Sequence, residues 1–132
     1  MTVLFDTWVW SLSLRKGAPE KHVAVEKLQR LLLDTQDIAL IGIALQEILQ
    51  GFRQEQTFTK ILSYLEAFPL LSLDRHDFIA AAKLRRQATA KGLSLSTPDC
   101  QIAAVAIKHD CYLLTTDKDF SHIAKWAPLQ LL

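Results

Sequence analysis

The chain has only two cysteines, Cys100 and Cys111. Their spacing fits neither a zinc knuckle nor a CxxC redox pair. Two isolated thiols in a chain large enough to bury a core point to a reducing compartment. An excess of either charge is also missing: fifteen Lys and Arg face fourteen Asp and Glu, for a net charge of +1. No global attraction to nucleic acid or to an anionic membrane follows, so any such contact must come from a local patch. Long hydrophobic runs are absent too. The longest uncharged stretch, Ile38 to Gln46, is too short to span a bilayer. The opening MTVLFDTWVW carries an acid at position 6 and no basic segment, which reads against a signal peptide. These absences predict a soluble, cytoplasmic protein without membrane contact. No Pro/Gly/Ser-rich linker and no internal repeat divides the sequence.

What remains is a chain of 132 residues, 50% hydrophobic and 22% charged. That composition excludes a disordered or low-complexity chain. The length predicts one compact domain over residues 1–132. Short apolar runs at 2–5 (TVLF), 38–41 (IALI), 70–73 (LLSL), 111–115 (CYLLT) and 129–132 (LQLL) read as strands. Helical spacing appears over 19–33, 43–53, 57–67, 75–91, 97–109 and 119–125. Asp74 reads as an N-cap, Gly92 as a C-terminal stop, and Ser96-Thr97-Pro98-Asp99 as a strong helix start. The strands are continuously apolar and alternate with helices. That pattern predicts a parallel sheet covered on both faces, a three-layer α/β/α sandwich.

Most of the fourteen acids, Asp77 among them, sit where solvated helix faces are expected. Four do not. Asp6 follows the first strand, Glu47 lies early in the helix after the second, Asp99 opens a helix, and Asp117 follows the fourth strand. Taken singly, Asp6, Asp99 and Asp117 each read as caps of a helix N-terminus, and Glu47 as a surface residue. Taken jointly, they lie at or near strand-to-helix junctions. In a parallel sheet those junctions line the carboxyl edge, where ligands bind. Carboxylates gathered there repel one another unless a cation relieves them. Oxygen ligands without His or Cys at ligand spacing favour Mg²⁺ or Mn²⁺ over zinc. A hard cation that keeps waters suits phosphodiester chemistry. No serine lies in a GxSxG context, and no histidine has an i+4 histidine partner.

At these residues the sequence resembles the PIN-domain ribonucleases, most specifically the VapC toxins of type II toxin–antitoxin pairs. The matching segments are LFDTWVW (4–10), ALQEILQGF (44–52), STPDCQIAAVAIKHDCYLLTTDKDF (96–120) and PLQLL (128–132). The resemblance places an acidic site on Asp6, Glu47, Asp99 and Asp117, with Asp119 as a further metal ligand. It implies that these acids hold Mg²⁺ or Mn²⁺ for the cleavage of RNA, either tRNA or rRNA. It gives Thr7 and Thr115 supporting roles beside the acids. It also implies a homodimer and a cognate VapB-type antitoxin that blocks the site. The alternatives are a PIN-type nuclease acting on DNA or in RNA processing, and a non-catalytic PIN-like binding module.

Two features stay open between a structural and a functional reading. Trp8 reads first as core packing of the first helix, and as a base-stacking side chain should it face the cleft. Asp119 reads either as the cap of the short helix containing Phe120 or as a metal ligand. RNA contacts have only weak candidates in Lys83 and Arg86, which share a helix face, and in Lys118 between two acids. Arg85 points elsewhere on that helix, and Arg15 and Lys16 form a second basic group. A receiver-type domain would need paired acids after the first strand. A dehalogenase-type phosphatase would need an acid where Trp8 stands.

Overall fold

The structure is a computed structural model that describes residues 2–14, 30 and 37–132. Apart from Arg30, the helix expected over 19–33 lies outside the described residues, as do Arg15 and Lys16. Five strands form one sheet: β1 (Thr2–Phe5), β2 (Asp37–Ile41), β3 (Leu70–Leu71), β4 (Tyr112–Leu114) and β5 (Gln130–Leu131). Their order is β3-β2-β1-β4-β5 and every neighbouring pair is parallel. Six described helices accompany them: α1 (Thr7–Leu14), α2 (Gly42–Gln50), α3 (Glu55–Leu65), α4 (Arg75–Ala90), α5 (Thr97–Lys108) and α6 (Lys118–Ile123). None is long and apolar enough to cross a membrane.

The continuous apolar runs of the strands have a direct structural cause, since alternate side chains feed opposite cores. Val3, Phe5, Ile38, Leu40 and Leu114 join Val9 and Trp10 of α1 and Leu65 of α3. Leu4, Ala39, Ile41 and Leu113 join α4, α5 and α6 through residues such as Leu84, Ile102, Val105 and Phe120. The result is the three-layer α/β/α sandwich. Trp10 is fully buried, edge-on to Phe5 at 4.9 Å and to Phe68 at 5.2 Å between ring centroids.

Local signals set the helix boundaries. Asp74 caps α4, and its side chain and that of Asp77 each accept the other's backbone N–H, at 3.0 and 2.8 Å. This reciprocal box closes the first turn. Gly92 follows α4 with φ of +80°, a conformation that costs glycine little and other residues more. Ser96 caps α5, its hydroxyl accepting the Asp99 N–H at 3.2 Å, with Pro98 in the first turn.

The terminal strands are shorter than the apolar runs that announced them. β3 spans two residues of LLSL and β5 two of LQLL. Both are edge strands, with one neighbour each to define the ladder.

The order of the strands fixes where a site can form. From β1 the chain builds β2 and β3 on one side, then crosses to build β4 and β5 on the other. The connections leaving β1 and β4 therefore diverge and open a crevice at their carboxyl ends.

Candidate active site

Asp6 is the first residue after β1 and is only 4% exposed. One carboxylate oxygen accepts the Val9 N–H at 2.8 Å, so the side chain caps α1. The other accepts the Thr115 hydroxyl from the end of β4. The Thr115 hydroxyl oxygen in turn accepts the Asp117 N–H at 3.0 Å. One threonine thus ties together acids on two adjacent strand ends. Glu47, on α2, accepts the Thr7 hydroxyl at 3.0 Å. Asp99 sits in the first turn of α5, half-buried. Asp117 is exposed and caps α6, its side chain accepting the Asp119 N–H at 2.9 Å.

Electrostatics shows that these acids share one space. Burial raises the Asp99 carboxyl to about 6, and the neighbouring Asp6, Asp117 and Glu47 carboxylates all push the same way. The Ser96 hydroxyl opposes this, and among the described residues no basic side chain does. Burial also raises Asp6, with Asp117 adding to it, against hydrogen bonds from Thr115 and Val9. A cleft of about 310 Å³ opens beside them, lined by Thr7, Trp8, Ser11, Leu12, Glu47 and Asp99. Among the described residues, the ion pairs join Lys108 to Asp74 and Asp77, away from this edge.

This donor set fits a hard divalent cation. It is all oxygen, it is anionic, and among the described residues no basic side chain offsets it. Among the described residues, no three His, Cys, Asp or Glu side chains are gathered tightly enough to grip an ion directly. Asp6, Glu47 and Asp117 are each engaged by a hydrogen bond from the chain. Mg²⁺ is commonly held by one or two carboxylates with retained waters, which suits that arrangement.

Several expectations need correction. Trp8 is not core packing: it is 52% exposed and lines the cleft, while Trp10 fills the core. Asp119 does not cap the short helix, because Asp117 does. Nor is Asp119 among the charges acting on Asp6 or Asp99. Asp77 is not on a solvated face: it is 2% exposed, boxed with Asp74 and paired with Lys108 at 2.9 Å. Lys83, Arg86 and Lys118 are exposed and hold no described contact to the acids. Arg85 is the residue of that helix that reaches the start of α5, donating to the Thr97 hydroxyl at 3.1 Å. Only the packing of α4 on α5 distinguishes Arg85 from its neighbours.

Residues 3–125 match the PIN domain family. A VapC ribonuclease of Mycobacterium bovis and the ribonuclease VapC11 of Mycobacterium tuberculosis are each 35% identical over 130 residues, covering 97% of this chain and 96% of theirs. The VapBC2 structure of Rickettsia felis, bound to a promoter DNA fragment, has a TM-score of 0.77 at 22% identity, over 100% of this chain and 98% of that one. FitAcB of Neisseria gonorrhoeae gives a TM-score of 0.76 at 25% identity, over 98% and 96%.

Proposed function

The chain belongs to the PIN domain family, in its VapC branch, and on that premise we propose that it is an endoribonuclease toxin dependent on Mg²⁺ or Mn²⁺. One observation carries the reading: Asp6, Glu47 and Asp117 all act on Asp99 at one sheet edge, and among the described residues no basic side chain offsets them. A single domain over residues 1–132 supplies the whole site.

In this reading Asp6, Glu47, Asp99 and Asp117 hold the cation. When bound, the cation supplies Lewis acidity toward the phosphoryl oxygen and toward water. The chain's own residues orient and charge the space. Thr115 fixes the Asp6 carboxylate while the Val9 N–H holds its other oxygen. Thr7 fixes Glu47. Such supporting hydrogen bonds keep carboxylates aimed and cut the reorganisation needed during reaction. Asp99, raised to about 6, would have to be deprotonated to hold a cation, so its affinity for one would rise with pH. Asp119, next to Asp117 in the same turn, serves as an auxiliary acid.

The partners follow from the same branch. A cognate VapB-type antitoxin covers the site, the toxin forms a homodimer, and the substrate is a cellular RNA, tRNA or rRNA. The decisive test incubates the purified chain with total RNA and maps the cleaved ends. Cleavage with Mg²⁺ or Mn²⁺ that stops with EDTA and with Asp6→Asn is the expected result. Cleavage surviving thorough chelation overturns the metal assignment, and cleavage of DNA alone overturns the RNA substrate.

A further inference from the structure

The first turn of α5 stands between two cavities. Asp99 lines the cleft of about 310 Å³ beside the acids. Thr97, Cys100 and Gln101 line a second cavity of about 240 Å³ against α4. Helical geometry accounts for the split. At about 3.6 residues per turn, Thr97 and Asp99 fall on opposite sides of the turn, while Thr97, Cys100 and Gln101 share one side. Arg85 stands on that second side. It comes from the C-terminal half of α4, lines the second cavity and donates to the Thr97 hydroxyl at 3.1 Å.

We propose that Arg85 binds a backbone phosphate of the RNA at a nucleotide flanking the cleaved linkage. The inference rests on the ribonuclease reading of the acids. Three features carry it. The first is the donor itself. Arg85 is exposed, the Thr97 hydroxyl takes one of its several N–H donors, and the planar fork matches the oxygens of a phosphodiester. Among the described residues the ion pairs are those of Lys108, so no described carboxylate holds the Arg85 charge. The second is pre-organisation. A tether to Thr97 restrains a long side chain before any ligand arrives, which lowers the cost of ordering it on binding. Lys83 and Arg86, on the same helix, have no such described tether. The third is place. Arg85 and Asp99 meet the same turn from its two sides, separated by about one helix diameter, on the order of 10 Å. A strand whose reacting phosphate lies at the acids therefore reaches Arg85 with a neighbouring phosphate, after crossing the tip of α5. The cation holds the polyanion there and leaves the charge of the acids to a metal.

The test uses the full chain and an oligoribonucleotide carrying the linkage mapped in total RNA. Arg85→Gln is expected to raise KM roughly 10-fold while kcat changes little. Its plot of log KM against log salt should be shallower by about 0.7, the loss of one phosphate contact on a single strand. Arg85→Lys keeps the charge, so it should keep the slope and recover part of the affinity. Arg75→Gln makes the same charge change at the other end of α4 and should match the wild type. Anisotropy of a fluorescent, mixed-sequence oligoribonucleotide in EDTA repeats the comparison as binding, without cleavage. An unchanged salt slope in Arg85→Gln overturns the proposal. It does so even where KM, oligomeric mass or the urea midpoint moves, because a packing or protein contact has no phosphate to lose. An equal slope change in Arg75→Gln overturns it as well, since the charge then acts diffusely. If the wild type binds RNA with an Arg85-dependent slope but cleaves none, the ribonuclease reading fails and the phosphate contact stands. If it cleaves with a slope indifferent to Arg85, the contact fails and the ribonuclease reading stands. If it neither binds nor cleaves, both fail.

Discussion

Two acid-bearing helix starts in this protein look alike in sequence and behave as opposites. At α4, Asp74 and Asp77 cap each other's backbone, and Lys108 reaches across from α5 to pair with both. Asp74 is held below its ordinary value, first by the Asp77 N–H and further by Lys108. At the ends of β1 and β4, Asp6 and Asp117 also cap helices, yet they and Asp99 face other acids, and among the described residues no basic side chain offsets that repulsion. Both Asp6 and Asp99 are raised. Capping therefore does not separate a structural acid from a functional one, because all of these residues sit at helix starts. Among the described residues the counter-charge separates them: Lys108 neutralises one group, and no basic side chain acts on the other.

The strongest way to break that contrast is to neutralise the open group. Asp6→Asn and Asp99→Asn should each lower RNA cleavage by about 10²-fold or more while circular dichroism shows an intact fold. Wild-type rates in either would remove the acids from the chemistry. Asp77→Ala should do the reverse. It leaves the Asp74 N–H and Lys108 without their buried partner and should cost about 1–3 kcal/mol of stability, read by urea unfolding, with cleavage per folded molecule unchanged.

Smaller effects sharpen the comparison. Mg²⁺ should raise the melting temperature of the wild type and not of Asp99→Asn, since binding to the folded state alone stabilises it. Equal shifts in both would place the ion elsewhere. In EDTA, the pH dependence has a definite sign. A carboxyl with a folded-state value of about 6 and an unfolded value of 3.8 binds its proton more readily in the folded state. Its contribution to stability is therefore greatest below 3.8 and declines as pH rises toward 6. Asp99→Asn should flatten that decline, and an unaltered slope would exclude Asp99 as its source.

Much of this arrangement is legible in the sequence because it rests on local signals. The caps at Asp74 and Ser96, the stop at Gly92 and the apolar runs of β1 and β2 are read within a few residues. The gathering of Asp6, Glu47, Asp99 and Asp117 is legible one step further, from the rule that parallel strands share a carboxyl edge. Trp8 fails that reading for a definable reason. In TWVWSLSL the apolar residues Trp8, Val9, Trp10, Leu12 and Leu14 fall all round the helix, so helical periodicity gives no direction to either tryptophan. Only the sheet beneath decides that Trp10 is buried and Trp8 is not. Asp77 and Arg85 are hidden similarly, since their partners Lys108 and Thr97 come from another helix.

The hydroxyl that joins Asp6 to the end of β4 spans 109 residues of sequence. A fragment that carries Asp6 without β4, Thr115 or Asp117 has no assembled crevice, so the two distant parts of the polypeptide must both be present and docked before the edge exists.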